Sequence, residues 1–217
     1  MIPYGKQDIN QQDIDAVIDA VMVTLMEHGL TPSAIAARMI YTSAPEALQG
    51  GVAAGLLAAG SKLLGTLENC AYLLDELVED EAGIEAAALA KVKMFRETKQ
   101  PLPGFGHPDH KPDDPRPFRH FELAKELKLP GKHVAALQAL SKSVDEVYGK
   151  HITINASASM AALLCEINLP KEVMRGIAVV TRAAGLVAHI FEEMKDPTMI
   201  TMMHACEKAV PYSDEQS

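Results

Sequence analysis

The chain has 217 residues, of which 48% are hydrophobic and 23% charged, and its formal net charge is −9. This composition is typical of a globular protein with a buried core, and the acidic balance disfavours nucleic acid or an anionic membrane as a partner, because both bind basic surfaces. No apolar run reaches the roughly 18 uninterrupted residues of a membrane span, and the first residues lack the pattern of a signal peptide, so we expect a cytoplasmic protein.

Apolar residues recur at helical spacing along most of the chain, and no alternating run reaches the length of a strand. A Thr31–Pro32 pair has the residue types of an N-cap and a first helical position. Pro170 and Pro197 bracket the longest apolar pattern. The resulting helices are predicted over residues 14–25, 84–99, 134–148 and 171–195. The fold class is therefore predicted to be all-α.

The tract 50–60 contains only glycine, alanine, valine and leucine. Small residues on most faces of a helix let other backbones approach closely, so we expect this helix to be deeply buried. The simplest burial is against a second copy of the chain, which predicts a homodimer or a higher homo-oligomer. The three cysteines lie within apolar helical patterns and are expected to be buried thiols: Cys70, Cys165 and Cys206.

Glycines, prolines, two histidines and an arginine are concentrated in residues 101–116. Gly104 and Gly106 allow a ligand to approach the backbone, and five prolines stiffen the path of the chain. Residues 91–119 carry seven Lys and Arg against four Asp and Glu, which suits a ligand with phosphates. A plain connecting loop, and cations at the end of a helix over 84–99, are the alternative explanations.

The order of residues in this loop resembles a known signature. Gly-Phe-Gly-His107, followed nine positions later by Arg116 in Asp-Pro-Arg, is similar to the loop of the citrate synthase family, which includes the citryl-CoA lyases. The resemblance implies a catalytic His107 that contacts the hydroxyl or carbonyl oxygen of a four-carbon acid. It implies that Arg116 binds a carboxylate of that acid. It also implies that the loop binds coenzyme A, through Pro103, Gly104, Phe105, Gly106 and Lys111.

Two further segments resemble the same family. Glu27-His28-Gly-Leu-Thr-Pro is similar to a histidine-bearing turn, and Thr181-Arg182 with the following Ala-His189-Ile-Phe-Glu192 is similar to an arginine-bearing helix. The resemblance implies that His28 and Arg182 bind the substrate acid. It further implies a two-domain helical fold, in which residues 1–64 and 160–217 form a reduced large dimerisation domain and residues 65–159 a small domain for coenzyme A.

The resemblance fails at two family positions. Leu64 stands where synthases carry a histidine that polarises the thioester, and Ser157 stands where they carry the aspartate that removes a proton from acetyl-CoA. Net synthesis is therefore disfavoured. We expect a citryl-CoA lyase-like enzyme that cleaves a carboxylated β-hydroxyacyl-CoA into acetyl-CoA and a keto acid by a retro-aldol reaction. An acyl-CoA thioester hydrolase and a non-catalytic subunit that binds coenzyme A and an organic acid are the alternatives.

Cleavage requires a base for the hydroxyl proton, and a neutral His107 could take it directly. Protonation of the enolate would then fall to water or to a residue of the loop, with His110, Asp113 and Asp114 as the candidates.

Several of these residues also have a purely structural explanation. His189 lies on a strongly apolar helix, where a hydrogen-bonded core histidine is the better interpretation. His28 could be a favourable cation at the end of a helix, and Arg116 could simply pair with Asp113.

A metal site is not expected. His107, His110 and His120 lie near Asp109 in the sequence, but prolines separate their directions and no pair of them has the spacing of ligands on one helix face.

Overall fold

We describe residues 9–210 of a computed structural model, leaving aside the side chains of residues 61–63. The prediction of an all-α fold is confirmed, because these residues form ten helices and no strand, and the one isolated β-bridge joins Phe105 to Ile154. The helices are α1 (Gln11–Met26), α2 (Pro32–Ser43), α3 (Leu48–Leu57), α4 (Ser61–Glu79), α5 (Ile84–Glu97), α6 (Pro115–Glu126), α7 (Lys132–Tyr148), α8 (Ala156–Glu166), α9 (Lys171–Lys195) and α10 (Met199–Ala209).

The chain packs into two compact units. Unit 1 consists of Met1–Leu25 and Ser61–Ala178, and unit 2 consists of Met26–Gly60 and Val179–Ser217. The predicted division at residues 64 and 160 was drawn by function, into dimerisation and coenzyme A binding, and packing alone does not test it.

Helix α8 is the centre of unit 1, since all of its residues except Ser157 are buried, and α4, α6 and α7 pack around it. The carboxylate of Glu166, the last residue of α8, accepts hydrogen bonds from the backbone N–H groups of Gly131, His133 and Val134 at 2.7, 2.7 and 3.1 Å. These donors belong to the first turn of α7, where backbone N–H groups lack helical partners. One buried side chain therefore fixes the start of α7 to the end of α8.

Glycine brings the helices of unit 2 close together. A Cβ at Gly55 of α3 would lie 2.6 Å from Leu186 and 2.7 Å from the backbone oxygen of Ser33, so α3 touches both α2 and α9 through this glycine. The opposite side of α3 is open, and Leu57 is 86% exposed. The expectation of burial on most faces is therefore not met within a single chain.

Helix α9 agrees with its predicted bounds, beginning directly after Pro170 and ending before Pro197. It is the one helix of the described residues that is long and apolar enough to cross a membrane by length and composition, but 44% of its most apolar stretch is buried inside the protein. The core helix of a globular protein meets the same criteria.

The prediction of buried thiols is confirmed for Cys70 and Cys165 and is wrong for Cys206. Cys206 lies on α10, a helix with no buried residue, so an apolar sequence pattern there does not correspond to a core position.

Candidate active site

The loop of residues 101–116, which contains Gly104, Gly106 and His107, is anchored to the segment before α8. The N–H of Gly106 donates to the oxygen of Thr153 at 2.8 Å, and the N–H of Asn155 donates to the oxygen of Gly104 at 2.9 Å. The side-chain amide of Asn155 donates to the oxygen of Gly106 at 3.3 Å. Asn155 also caps α8 by accepting from the N–H of Ala158. The loop is thus held by backbone hydrogen bonds at the start of the most buried helix of unit 1.

Both loop glycines are needed for their backbone conformation. Gly104 and Gly106 have φ values of 87° and 85°, in the left-handed region that other residues avoid. A Cβ at Gly104 would also lie 2.5 Å from the Cβ of Ala158 and 2.9 Å from Cys70 Sγ, whereas one at Gly106 would meet only Ile152, at 4.0 Å. The first glycine therefore serves close packing as well as conformation.

The backbone of the loop fixes the tautomer of His107. Its Nδ1 accepts hydrogen bonds from the N–H groups of Asp109 and His110, both at 3.1 Å. A nitrogen that accepts carries no proton, so the proton of the neutral ring is assigned to Nε2. Partial burial, together with the nearby charges of His110 and Arg116, lowers the pKa of His107 and favours this neutral form. In this tautomer Nε2 is a hydrogen-bond donor, and the role of His107 as the base stays a prediction.

Arg116 is held by an aspartate, but not by the one predicted. Asp114 is 1% exposed, and its Oδ1 accepts from the Arg116 backbone N–H at 3.0 Å and from Nε at 2.9 Å, while Oδ2 accepts from Nη2 at 2.7 Å. Burial by itself would raise the pKa of Asp114, but the hydrogen bonds and charge of Arg116 outweigh it and lower that pKa. Asp114 is also the N-cap of α6, so one carboxylate both starts the helix and orients the guanidinium.

The expected partner, Asp113, binds His151 instead. His151 Nε2 lies 2.9 Å from Asp113 Oδ1, and its Nδ1 lies 2.9 Å from Asp145 Oδ2 at the end of α7. Hydrogen bonds to Asp145 and Asp113 raise the pKa of His151. This tether between the loop and α7 was missed by sequence reasoning, because Asp113 and His151 are 38 residues apart.

The other residues assigned to coenzyme A belong to the same loop. Pro103 and Phe105 are half-buried, and Lys111 is exposed. Their roles stay predictions.

Two predicted substrate residues belong to unit 2. His28 is exposed and lies after the end of α1, as expected for either interpretation. Arg182 of α9 is 5% exposed, and its buried Nη1 has no hydrogen-bond partner within the part of the chain that the structure describes. Burial lowers the pKa of Arg182, and the nearby Glu27 opposes that shift. The structure thus brings His107 and Arg116 together within unit 1 and places His28 and Arg182 in unit 2.

The interpretation of His189 as a core histidine is confirmed. It is 6% exposed, its Nδ1 lies 2.8 Å from Arg38 Nη2, and its Nε2 lies 2.9 Å from a carboxylate oxygen of Glu27. Arg38 is buried as well and donates to Glu193 at 3.1 Å. Arg38, which orders this cluster, had no role assigned from sequence reasoning.

Among residues 9–210, one group of side chains is close enough to be considered for a metal ion. Ligand atoms of His107, His110 and Asp114 lie within 4.8 Å of one another. Coordination would require a lone pair that His107 already gives to two backbone N–H groups, and oxygens that Asp114 already gives to Arg116. The donor set therefore does not fit a metal. His120 lies outside this group, because its two nitrogens bond Ser159 and Thr24 at 2.8 and 3.0 Å.

The two positions that depart from the family pattern both lie in unit 1. Leu64 on α4 is 7% exposed and offers no polar group. Ser157 is half-buried in the first turn of α8.

Comparison with known proteins agrees with this fold. The family model described as citrate synthase, C-terminal domain, matches residues 4–202. The chain therefore belongs to the citrate synthase family. A solved structure of citryl-CoA lyase from Hydrogenobacter thermophilus is 30% identical, with a TM-score of 0.84 over 97% of this chain and 80% of that one.

More distant relatives are longer. The protein of Mycobacterium bovis named "Putative citrate synthase 2" is 29% identical over 181 residues, which are 82% of this chain and 47% of the relative, so the chain spans about half of its length. ATP citrate lyase from Methanothrix soehngenii, solved in complex with citrate and coenzyme A, is 18% identical, with a TM-score of 0.72 over 87% of this chain and 32% of that one. This last likeness concerns the fold.

Proposed function

We propose that the chain is a carbon–carbon lyase that cleaves a carboxylated β-hydroxyacyl-CoA, citryl-CoA or a close analogue, into acetyl-CoA and a keto acid. The observation that carries the proposal is the placement of His107, whose Nδ1 accepts two backbone N–H bonds, within 4.8 Å of the Asp114 carboxylate that holds the guanidinium of Arg116. Membership of the citrate synthase family and the likeness to a citryl-CoA lyase support it.

The chemistry requires a donor at the substrate oxygen. In retro-aldol cleavage the hydroxyl oxygen loses its proton and becomes the carbonyl oxygen of the keto acid. Negative charge develops there, and an N–H group held in place stabilises it. The Nε2–H of His107 supplies this group in our proposal.

Arginines supply the binding of the acid. A guanidinium binds a carboxylate through two parallel hydrogen bonds, which also fixes the orientation of the substrate. Asp114 occupies Nε and Nη2 of Arg116 and thereby sets the plane of its guanidinium. Arg182 offers a buried Nη1 with no hydrogen-bond partner among the described residues, and leaving such a donor unsatisfied costs about 1–3 kcal/mol. A substrate carboxylate would satisfy it.

The loop suits the thioester cofactor. Gly104 and Gly106 have no side chains to keep a ligand from the backbone, and the exposed Lys111 offers a cation for a phosphate of coenzyme A. His28 would contact the acid in the same proposal, as the resemblance implies.

Cleavage is favoured over synthesis by two further points. Synthesis begins with removal of a proton from the methyl group of acetyl-CoA; Ser157 stands where the family has the aspartate for that step, and Leu64 stands where it has the histidine that polarises the thioester. The likeness to a citryl-CoA lyase, with a TM-score of 0.84, points the same way.

We also propose that the active form is a homodimer in the cytoplasm. Large apolar side chains of unit 2 are exposed along α3 and α9, and such residues commonly mark an interface with another chain. They are Leu57 at 86%, Val180 at 59%, Val187 at 44% and Phe191 at 54% exposure. Sedimentation equilibrium tests this, and a monomer would contradict it.

Turnover of citryl-CoA tests the proposed function directly. We expect acetyl-CoA by chromatography and oxaloacetate by coupling to NADH oxidation, in equal amounts. Replacement of His107 by alanine should lower kcat about 100- to 1,000-fold, the cost of removing one oxyanion donor. His204→Ala, on the exposed side of α10, is the matched control and should keep full activity.

Each alternative has its own signature in the same assay. Free coenzyme A without a keto acid would identify a thioester hydrolase. Binding of coenzyme A by calorimetry with no turnover of any β-hydroxyacyl-CoA would identify a binding subunit.

A further inference from the structure

The proposed cleavage moves one proton twice. The hydroxyl of the substrate must lose a proton before the carbon–carbon bond breaks, and the enolate of acetyl-CoA must gain one at carbon afterwards. A single group that takes the first proton and returns it satisfies both needs and leaves the enzyme unchanged. Such a group must lie next to the donor that contacts the hydroxyl oxygen.

Three residues of the loop are poorly suited to this role. His107 already holds a proton on Nε2, where it donates. Asp114 is buried and its carboxylate bonds Arg116 through both oxygens, so it is a weak base and stays ionised. Asp113 bonds His151. Each of these groups therefore either bonds another side chain or already holds a proton where it would have to accept one.

His110 remains, and its position is right. Its ring centroid lies 4.4 Å from that of His107, with the planes tilted by 41°. Its backbone N–H bonds His107 Nδ1, so the placement of one histidine fixes the other. The side chain is half-buried, which leaves it accessible to a ligand. Imidazole both accepts and releases protons near neutral pH, as a shuttle requires.

The neighbouring charges favour different roles for the two histidines, with His110 as the proton acceptor and His107 as the hydrogen-bond donor. A positive charge on His110 lowers the pKa of His107, and so does the charge of Arg116. When His110 accepts the substrate proton, His107 therefore stays neutral and continues to donate. The Asp114 carboxylate, within 4.8 Å of both rings, partly balances the charge that His110 gains.

We propose that His110 is the acid–base residue of the cleavage, an inference that rests on the proposed function. A nitrogen of His110 takes the hydroxyl proton, and the O–H electron pair forms the carbonyl bond of the keto acid. The electron pair of the breaking carbon–carbon bond passes into the thioester as its enolate. The His110 imidazolium then gives its proton to the enolate carbon, which becomes the methyl group of acetyl-CoA. No other reactant is consumed.

Two measurements on His110→Gln test this role. The first is kcat for citryl-CoA cleavage. The second is the exchange of deuterium from solvent into the methyl group of acetyl-CoA when oxaloacetate is present, which reports proton transfer in the reverse direction. We expect both to fall by about 100-fold or more, with KM little changed. Added imidazole should restore part of the activity of His110→Ala, the smaller variant.

The controls separate this inference from the proposed function. His204→Gln should match the wild type in both measurements. A folded His110→Gln protein with wild-type cleavage and exchange would overturn the role of His110 and leave the lyase intact. Activity lost through KM alone, without rescue by imidazole in His110→Ala, would also overturn it, because it would indicate binding rather than proton transfer. Wild-type protein that cleaves no substrate would refute the proposed function itself, and this inference with it.

Discussion

Replacement of Gly104 by alanine tests how tightly the loop is packed on its unit. The new Cβ would lie 2.5 Å from the Cβ of Ala158 and 2.9 Å from Cys70 Sγ. Neither atom is at the end of a long, flexible side chain that could move away. The left-handed backbone costs about 1–2 kcal/mol for an alanine. Overpacking of a filled site adds about 1–3 kcal/mol. We expect a loss of roughly 2–5 kcal/mol in the free energy of unfolding.

Gly106→Ala is the matched control. Its φ of 85° is nearly the same as the 87° of Gly104, but its nearest neighbour would be Ile152 at 4.0 Å. It should therefore lose only the conformational share, about 1–2 kcal/mol. The reduced freedom of the unfolded chain is the same in both variants and cancels in the comparison.

Unfolding of both variants in urea, monitored by circular dichroism, measures this difference in the free energy of unfolding. The midpoint should fall more for Gly104→Ala than for Gly106→Ala, at an unchanged slope. Equal losses would refute the close approach of Gly104 to α8. Calorimetry with coenzyme A adds a functional result, since a loop displaced from α8 should bind it more weakly.

Two further predictions concern charged groups around the loop. Asp114→Asn keeps a capping oxygen for α6 but loses the anion that orients Arg116, so urea unfolding should show a loss of about 1.5–3 kcal/mol and steady-state kinetics a higher KM; an unchanged KM would contradict the orienting role. His151 has a raised pKa in the folded state, so its contribution to stability is full below the ordinary histidine pKa of about 6.5 and is lost as pH rises through the folded value. Unfolding of wild type and His151→Gln should therefore differ more at acidic than at alkaline pH, and the opposite trend would refute the tether.

The helices could be predicted closely because their signals are local. The apolar spacing and the prolines around α9 gave its bounds, Lys171–Lys195, without reference to any other part of the chain. The same reasoning was wrong for Cys206, and the predicted burial of α3 against a second copy stays a prediction. The apolar residues of a helix show which face can be buried, but burial also depends on what packs against that face.

The loop motif identified residues of the candidate site. It did not predict the tautomer of His107 or the ion-pair partner of Arg116. The order Gly-Phe-Gly-His107 led directly to the loop and to Arg116. Nothing in that order indicated that Nδ1 of His107 would accept two backbone hydrogen bonds, because this depends on the turn that follows. The choice of Asp114 over Asp113 likewise depends on where α6 begins.

The sequence by itself determined the helical class, the position of the stiff loop and the residue types that the loop presents, since periodicity, prolines and glycines act over a few neighbours. Only the tertiary structure decided which nitrogen of His107 carries the proton, which aspartate holds Arg116 and that Asp113 pairs with His151. These outcomes depend on atoms brought together across as many as 38 residues and on burial, which strengthens hydrogen bonds by lowering the local dielectric constant.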